Sequence, residues 1–413
     1  MKIAISKIEI TPSEPSYLCG HALRVHLHEG VLDPLYCSVL LMEIGNKKLA
    51  LLSFDLIGLD ELLSDGIRIV VSDELDIKTD NVITSVIHTH AGPEVAEFSI
   101  LQKNKEKGVR PGYRDELIAK ALTCVKEANL HWTEVMMEFA KVMIEGYYGN
   151  RNSIDLPSDK SVNLFRFMDK NHNLVGMMVN MSTHPTVLGP QNHFISADLL
   201  GAVRQGLEDR WHVSIHMTNG SQGDVSNRQY RQGNDEAELK RVAKGILEQI
   251  PNELDWVDVT PEKVHIHKSI FVIHYTVNKN EIERQILATE KELAETDNSE
   301  IKKLYTSGLA ALKGRLAGTD HVHMKLTTYT LDFATFKIVT IPGELFAKLG
   351  LEIKNSTDDN IILFGLTNTS VGYFVEKSQY GKNYESLTTN IRKGEPEMFI
   401  HTIIEQLQNQ KIH

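Results

Sequence analysis

The chain has 413 residues, which is long enough to bury a large core and to form two or three domains or subdomains. Its composition is that of an ordinary soluble globular protein, with 41% hydrophobic and 24% charged residues. The 44 basic and 55 acidic side chains give a formal charge of −11, and no long basic stretch is present. The sequence therefore argues against a nucleic-acid partner.

The start of the chain and its cysteines bear on the compartment. The opening segment MKIAISKIEITPSEP predicts an alternating strand and a turn rather than the unbroken apolar core of a signal peptide. No apolar run approaches about 18 residues, so no membrane-spanning segment is expected. The three cysteines, Cys19, Cys37 and Cys124, are odd in number and lack metal-binding spacing. They predict reduced thiols, and we expect a cytoplasmic protein.

In chain order, the first half of the sequence predicts strands that alternate with helices. The opening segment is the first strand, and VLDPLYCSVLLMEI and KKLALLSFDLIGLD are two more, joined by a turn at Gly45 and Asn46. A helix over ELLSDGIRIVVSDEL precedes the strand NVITSVIH, which ends at His88. RDELIAKALTCVKEANLH has helical spacing of its apolar residues, and EVMMEFAKVMIEGYYGN and VNLFRFMDKNHNLVGMMVNMSTHP predict further strands.

The second half continues this alternation. A helix after FISADL, the strand VSIHMTNG and a helix over residues 235–249 precede a Glu- and Lys-rich helical region at 279–318. We interpret that region as a solvated pair of packing helices rather than a coiled coil, because its apolar heptads are too few. The last third predicts the strands HMKLTTYTLDFATFKIVTIP and NIILFGLTN and the helices ELFAKLGLEIKNS and EMFIHTIIEQLQNQ.

Strands that alternate with helices predict an α/β fold with mixed β-sheets flanked by helices. No tandem repeat or low-complexity linker divides the chain. We therefore expect one unit over residues 1–413, with soft subdomains at 1–135, 136–260 and 261–413.

The sequence contains four His-x-His pairs, and such a pair on a strand points both imidazoles to the same face. The pairs are His26/His28, His88/His90, His265/His267 and His321/His323. A bare pair does not distinguish a metal site from two polar residues that close a strand, so the rest of the chain must decide.

Five polar loops follow predicted strands, which is where α/β proteins usually bind ligands. They are HTHAGPE, STHPTVLG, NGSQGDVSN, IPGELF and GLTNTSVGYF. Their His, Glu, Ser and Tyr side chains suit a zinc ion with an open position for water, together with an activated hydroxyl.

Each of these residues also has a purely structural interpretation. His184 is equally typical of a strand-end histidine bonded to backbone, and Ser226 of a loop serine that does the same. Glu344 suits the first turn of the helix ELFAKLGLEI, where a carboxylate complements the helix dipole. Other catalytic motifs are missing from the sequence: NGSQG has Asn219 where the G-x-S-x-G elbow needs glycine, and no H-E-x-x-H or P-loop occurs.

Taken in order, six segments resemble motifs of the neutral/alkaline (non-lysosomal) ceramidase family, zinc amidases that cleave the N-acyl bond of ceramide. HTHAGP resembles H-T-H-S-G-P, GNRN resembles the N-R-S-P loop, and STHPT with ISADLLGAV is similar to H-G-T-S with I-S-G-D-N-K-G. GDVSN resembles G-D-V-S-P-N, IPGELF resembles V-P-G-E-F, and the stretch from GLTNTSVGY to SQYGKNYES resembles the segment that ends in Y-E-G/A. The matches run nearly from end to end.

The resemblance implies one Zn²⁺ per chain and a role for each matching residue. It implies that His88, His184, Glu344 and Tyr373 hold the zinc. His90 becomes a candidate acid/base or substrate contact rather than a ligand. Arg151 and Tyr384 match residues that hold the scissile carbonyl, and Ser226 matches the serine described as the nucleophile. Whether Ser226 attacks the carbonyl or only positions the substrate stays open at this point.

Several departures from the family affect the expected substrate. The chain is shorter than these ceramidases, and we expect neither their secretion signal nor their C-terminal immunoglobulin-like domain. Ala91, Pro185 and Asn227 replace a Ser, a Gly and a Pro beside the reacting groups. We therefore expect a zinc amidase for a smaller or more soluble N-acyl amide, with ceramide or another lipid-like amide as the other candidate.

Two other classes of protein stay open. One is a different metal-dependent hydrolase that uses another His-x-His pair, such as a barrel amidohydrolase with His26 and His28. The other is a non-catalytic descendant of the fold that binds a ligand. The oligomeric state is not predicted.

Overall fold

The computed structural model describes residues 1–21, 24, 26–95 and 110–409. Within these ranges the strands of the first half are β1 Lys2–Glu9, β2 Gly30–Val31, β3 Tyr36–Ile44, β4 Lys47–Phe54, β5 Val82–Val86, β6 Thr133–Met143, β7 Gly149–Asn150, β8 Ser161–Asp169, β9 Leu174–Met181 and β10 Phe194–Ile195. Those of the second half are β11 Ile215–Asn219, β12 Val225–Ser226, β13 Val257–Asp258, β14 His265–Thr276, β15 His321–Asp332, β16 Phe336–Thr340, β17 Glu344–Leu345, β18 Asn360–Phe364 and β19 Tyr373–Phe374.

The helices lie mostly where the apolar periodicity predicts them. They are α1 Glu61–Leu75, α2 Tyr113–Asn129, α3 Asp198–Trp211, α4 Glu236–Gln249, α5 Lys279–Glu295, α6 Ser299–Ala317, α7 Ala347–Lys354, α8 Tyr384–Thr388 and α9 Glu395–Asn409. The predicted pair of packing helices over 279–318 is confirmed as α5 and α6, whose contact is made by Ile282, Ile286, Leu309 and Leu312.

The largest sheet has nine strands in the order β11-β9-β8-β6-β1-β3-β4-β5, with β13 paired to β6. The β3–β4 hairpin has the predicted turn at Gly45, whose φ of 59° suits a glycine. Most neighbours are antiparallel, but β11 runs parallel to β9 and β4 runs parallel to β5. A second sheet has the order β14-β15-β16-β18, and its last pair is parallel. The predicted α/β fold with mixed sheets is thereby confirmed.

The two sheets pack between two layers of helices. Strand β3 shows why, because it is apolar on both faces. Val39 and Leu41 belong to the core that lies against helices α1–α4, whereas Leu40 and Met42 belong to the core between the two sheets. A third core lies between the second sheet and helices α7 and α9. The layers are therefore helix, sheet, sheet and helix.

One predicted boundary is wrong. The sequence allows Glu344 to be the N-terminal acid of a helix, but α7 begins at Ala347, after Phe346. Glu344 instead starts the short strand β17, where it is paired with Tyr373 of β19 in a parallel ladder. The pairing with a distant strand overrides the local helical pattern.

Candidate functional site

The predicted loops meet where the strands of the two sheets end. Asn219, at the end of β11, links three of them: its side-chain amide donates to the carbonyls of Ile87 and Thr183, 2.9 Å from each. The N–H of Gly365, which follows β18, donates to the Asn219 carbonyl at 2.9 Å and joins the second sheet to the first. These bonds fix the loops that carry His88 and His184.

His88 and His184 are buried, and each ring has one nitrogen fixed by the backbone. Nδ1 of His88 lies 2.5 Å from the Ile57 carbonyl, and Nδ1 of His184 lies 2.6 Å from the Gln222 carbonyl. A carbonyl only accepts, so both Nδ1 atoms carry the proton. In the neutral ring Nε2 then presents a lone pair, which is the usual arrangement of a metal-binding histidine.

Both of these Nε2 atoms face the same carboxylate. Oε2 of Glu344 lies 3.2 Å from His88 Nε2 and 3.0 Å from His184 Nε2. Burial raises the pKa of Glu344, but positive charge at His88 and His184 lowers it by more, to well below its usual range. A positive charge at this point, on a ring or on a bound cation, therefore keeps the carboxylate ionised at neutral pH.

Burial, with the charge of Arg151, lowers the pKa of His184 to about 3. A neutral His184 cannot donate to the Gln222 carbonyl and to Glu344 at the same time. The contact with the carboxylate is thus one between two acceptors, and a cation at their meeting point resolves it. The donor set of the cluster therefore fits a metal ion.

His90 joins this cluster. Its Nε2 lies 3.4 Å from His88 Nε2, and its Nδ1 lies 3.1 Å from the Gly20 carbonyl. The ligand atoms of His88, His90 and His184 all lie within 4.8 Å of one another, so this three-histidine group could hold a metal. Burial, followed by the charges of His88 and His21, lowers the pKa of His90 well below its ordinary value.

The backbone at this point is strained. His88 has a φ of 76°, a conformation that non-glycine residues rarely adopt. Its N–H donates to the Leu56 carbonyl at 2.9 Å, which holds it in place. Gly223 approaches the loop of Glu344 so closely that a Cβ there would lie 2.6 Å from the Glu344 carbonyl oxygen. The positions of the His88 imidazole and the Glu344 carboxylate therefore depend on the surrounding fold.

Arg151 lies beside the histidine and carboxylate cluster. Its guanidinium donates to Glu385 Oε1 at 2.6 Å, to the Gly223 carbonyl at 3.0 Å and to the Tyr373 hydroxyl at 3.3 Å. Tyr373 is next to Glu344 through the β17–β19 pairing, and its ring stacks on that of His184 at 6.3 Å between centroids. Arg151 and Tyr373 are thus brought to the same place.

Tyr384 and Ser226 lie at the edge of the cluster. The Tyr384 ring is 6.4 Å from that of Tyr373, and burial, followed by the negative charges of Glu344 and Glu385, raises the pKa of Tyr384 to about 12. Ser226 is buried in β12, and its Oγ accepts from the Arg228 N–H at 3.2 Å. No imidazole is hydrogen-bonded to that hydroxyl in the part of the chain that the structure describes.

The other three His-x-His pairs lie elsewhere, and they are not part of the three-histidine group found in the described ranges. His26 is exposed with its ring beside that of His193, and His28 accepts a hydrogen bond from the Ser16 N–H. The barrel alternative is wrong about the fold, because the described strands form open mixed sheets rather than a closed barrel.

Sequence analysis missed the residues that hold the cluster in place. Glu385 is buried and binds Arg151, although it directly follows Tyr384 in the matched segment. Asp224, whose pKa burial raises to about 7, accepts from the side chain of Asn150 and the N–H of Ala347. The only sequence signal for either acid is its position beside a matched residue.

Neither a known protein-family profile nor a curated protein sequence matches the chain. Solved structures do match. A neutral ceramidase from Pseudomonas aeruginosa superposes with a TM-score of 0.78 at 13% identity, over 98% of this chain and 73% of that one. The chain has the neutral ceramidase fold.

A second structure, a ceramidase complexed with C2, gives a TM-score of 0.76 at 12% identity, over 98% of this chain and 74% of that one. The resemblance to neutral ceramidases that the motifs predict is thereby confirmed at the level of the fold. Among the described residues of the chain, no helix combines the length and apolarity needed to span a bilayer.

Proposed function

We propose that the protein is a zinc-dependent amidohydrolase that cleaves an N-acyl bond. One observation carries the proposal: the lone pairs of two buried imidazoles and the charge of Glu344 meet within 3.2 Å, with both Nδ1 protons committed to backbone carbonyls. Such a group of neutral nitrogens and one carboxylate has the chemistry of a zinc site. The ceramidase fold, which hosts amide hydrolysis in the matched proteins, supports it.

His88, His184, Glu344 and Tyr373 would hold one Zn²⁺ per chain. When bound, Zn²⁺ is a Lewis acid that polarises a carbonyl and makes water a better nucleophile. The Ile57 and Gln222 carbonyls would orient the imidazoles, as outer partners of metal ligands commonly do. Arg151 donates a hydrogen bond to the Tyr373 hydroxyl and favours its ionised form. Burial and the charge of Glu344 have the opposite effect.

The neighbouring side chains supply the remaining groups that amide cleavage needs. Arg151 and Tyr384, which both lie next to Tyr373, would stabilise the negative charge that develops on the carbonyl oxygen. His90, which is less buried than His88 and His184, would take a proton from the attacking water and pass it to the leaving amine. Glu385 keeps Arg151 in position through their 2.6 Å ion pair.

We assign substrate positioning, rather than nucleophilic attack, to Ser226. A serine nucleophile needs a base within hydrogen-bond reach. Its only hydrogen-bond partner among the described residues is the Arg228 N–H, so nothing there takes its proton. Water is then the attacking group, and the Ser226 hydroxyl binds the substrate.

We propose a small or soluble N-acyl amide as the substrate, with ceramide or another lipid-like amide as the competing candidate. Ala91, Pro185 and Asn227, which differ from the motifs of the ceramidase family, lie beside His90, His184 and Ser226 in the chain. The same proposal places the reaction in the cytoplasm and expects no nucleic-acid partner. The second candidate function, ligand binding without catalysis, has no observation in its favour.

The test is hydrolysis of an amide panel by metal-free and zinc-reconstituted protein. The panel contains short N-acyl amides, N-acyl amino acids and a short-chain ceramide, with release of the amine as readout. We expect turnover of at least one soluble amide only after zinc is added, and its loss in Glu344→Gln. Zinc-loaded, folded protein that cleaves none of them would overturn the proposal and favour a non-catalytic descendant.

A further inference from the structure

Most arginines near the site have a defined partner. Arg24 donates to the carbonyls of Cys19 and His90, Arg151 pairs with Glu385, and Arg204 pairs with Asp55 through two bonds of 2.7 Å. Arg228 differs from them. Its guanidinium has no hydrogen-bond or ion-pair partner among the residues that the structure describes, and its side chain is accessible to solvent.

Arg228 is held close to the reacting groups by its own backbone. It begins a short 3-10 turn over Arg228–Tyr230, and its N–H donates to the Ser226 hydroxyl at 3.2 Å. The next residue, Gln229, donates from its side chain to the Arg151 carbonyl at 3.0 Å. The turn that carries Arg228 is therefore tied to both Ser226 and Arg151.

Two other guanidinium groups act on Arg228. Desolvation and the charge of Arg151 lower the pKa of Arg228 to about 10, the charge of Arg231 acts in the same direction, and Glu385 and Tyr373 oppose it. Glu385 is already bound to Arg151 at 2.6 Å, so its charge is shared. Arg228 stays protonated at neutral pH, and an anion placed beside it would relieve the repulsion among these guanidinium groups.

We propose that Arg228 binds a carboxylate of the substrate, and that the protein acts on N-acyl amino acids. The inference rests on the proposed amidase function and names its substrate class. Arginine is well suited to this role, because its planar guanidinium forms two parallel bonds with a carboxylate. In an N-acyl amino acid the carboxylate is separated from the scissile nitrogen by one carbon, and Arg228 lies two residues from Ser226 in the chain. An amide substrate without a carboxylate has no group that forms these two bonds with Arg228.

Matched substrates test the proposal. N-octanoylglycine and N-octanoylglycinamide differ only in the charge of the terminal group, and we expect zinc-loaded protein to prefer the acid by roughly 10- to 100-fold in kcat/KM. Arg228→Gln should remove the preference by slowing the acid alone, and Arg228→Lys should retain part of it. Arg284→Gln is the control, since Arg284 is exposed and pairs with Glu281 away from the site. Equal rates for the two amides, or a preference that survives in Arg228→Gln, would overturn the proposal.

Binding separates this inference from the proposed function. If neither amide is cleaved, calorimetric titration of zinc-loaded protein with N-octanoylglycine still reads the carboxylate contact. Binding that is at least roughly tenfold weaker in Arg228→Gln supports the contact even where hydrolysis is missing, and binding that is absent from wild type or unchanged in the variant overturns it. The monoamide of octanedioic acid carries its carboxylate on the acyl side. Preferential dependence of that compound on Arg228 would overturn the assignment to amino-acid amides.

Discussion

His184 Nε2 lies 3.0 Å from Glu344 Oε2, although 160 positions separate the two residues in the chain. His184 follows β9 of the nine-stranded sheet, whereas Glu344 follows β16 of the four-stranded sheet. Their contact therefore exists only when the two sheets are packed together. The same packing places the Gly223 N–H 2.9 Å from the Leu345 carbonyl, so the loop of Gly223 and the loop of Glu344 are joined directly by backbone.

This junction predicts the effect of a single methyl group. In Gly223→Ala the new Cβ would lie 2.6 Å from the Glu344 carbonyl oxygen and 2.9 Å from the Leu345 carbonyl carbon, so the Glu344 loop must shift. We expect zinc affinity to fall by at least about tenfold, as it does when the outer partners of metal ligands are disturbed. Competition titration with a zinc chelator measures it.

Gly314→Ala is the matched control, because a Cβ at that helical position meets nothing within 4 Å. It should leave zinc affinity unchanged and, by restricting the unfolded chain, stabilise the fold by about 0.4–1 kcal/mol. Wild-type zinc affinity in a folded Gly223→Ala protein would contradict the described junction.

His90 gives a prediction that separates proton transfer from metal binding. We expect His90→Asn to keep its zinc and to lower kcat by roughly 10²- to 10⁴-fold, because it removes the group that transfers the proton and leaves His88, His184 and Glu344 in place. Metal analysis and amide hydrolysis on the same sample measure both. Loss of zinc from the variant would show instead that His90, 3.4 Å from His88, is a ligand.

Glu385 is expected to matter for both stability and catalysis. Its carboxylate is 1% exposed and pairs with a guanidinium that is 6% exposed, so Glu385→Gln leaves the Arg151 charge buried without its counterion. We expect a loss of about 3–5 kcal/mol in the free energy of unfolding by urea, with a lower kcat and unchanged zinc content.

The control for that variant is Glu281→Gln, which breaks an exposed pair with Arg284. Its side chains are 47% and 71% exposed, and its loss should cost less than about 1 kcal/mol. Similar destabilisation by the two variants would show that burial does not increase the contribution of the Arg151–Glu385 pair to stability.

His216 predicts how stability changes with acidity. It is fully buried beside Ser38, and burial, with the charge of Arg204, lowers the pKa of His216 to about 3. Below the ordinary histidine pKa of about 6.5 the unfolded chain binds a proton that the folded protein does not, so stability falls as the pH falls from about 6.5 to 3. The slope for one such group is about 1.4 kcal/mol per pH unit.

Urea unfolding of wild type and His216→Gln measures this contribution. Between pH 7 and pH 5 we expect wild type to lose about 2 kcal/mol more than the variant, since the other titrating groups are common to both. Parallel pH profiles would contradict the description of His216 as a neutral buried ring.

The sequence predicts local elements well and their partners poorly. The apolar spacing of ELLSDGIRIVVSDEL places helix α1 at Glu61–Leu75, where the structure has it. No such pattern shows that β1 lies between β3 and β6, because pairing depends on chain segments more than a hundred residues apart. The interpretation of Glu344 as the first acid of a helix is wrong for the same reason, because the neighbouring sequence gives no sign of its pairing with Tyr373.

The residues of the candidate site likewise fall into those that the sequence predicts and those that it does not. Motif order alone selects His88 and His184 from a chain with 18 histidines, and the structure brings both to one carboxylate. Their roles as zinc ligands stay a prediction, as do those of Arg151, Tyr384 and Ser226. Glu385 lies 234 positions from Arg151, and the lack of a partner for Arg228 is a property of the folded chain, so neither can be recognised from spacing.

The most direct test of the zinc centre is the metal content of purified wild type, His184→Ala and His26→Ala, each shown to be folded. We expect about one zinc per chain in wild type and in His26→Ala, whose exposed ring lies beside His193, and none in His184→Ala. Zinc retained by His184→Ala, or missing from wild type after incubation with the metal, would contradict a zinc centre at His88, His184 and Glu344.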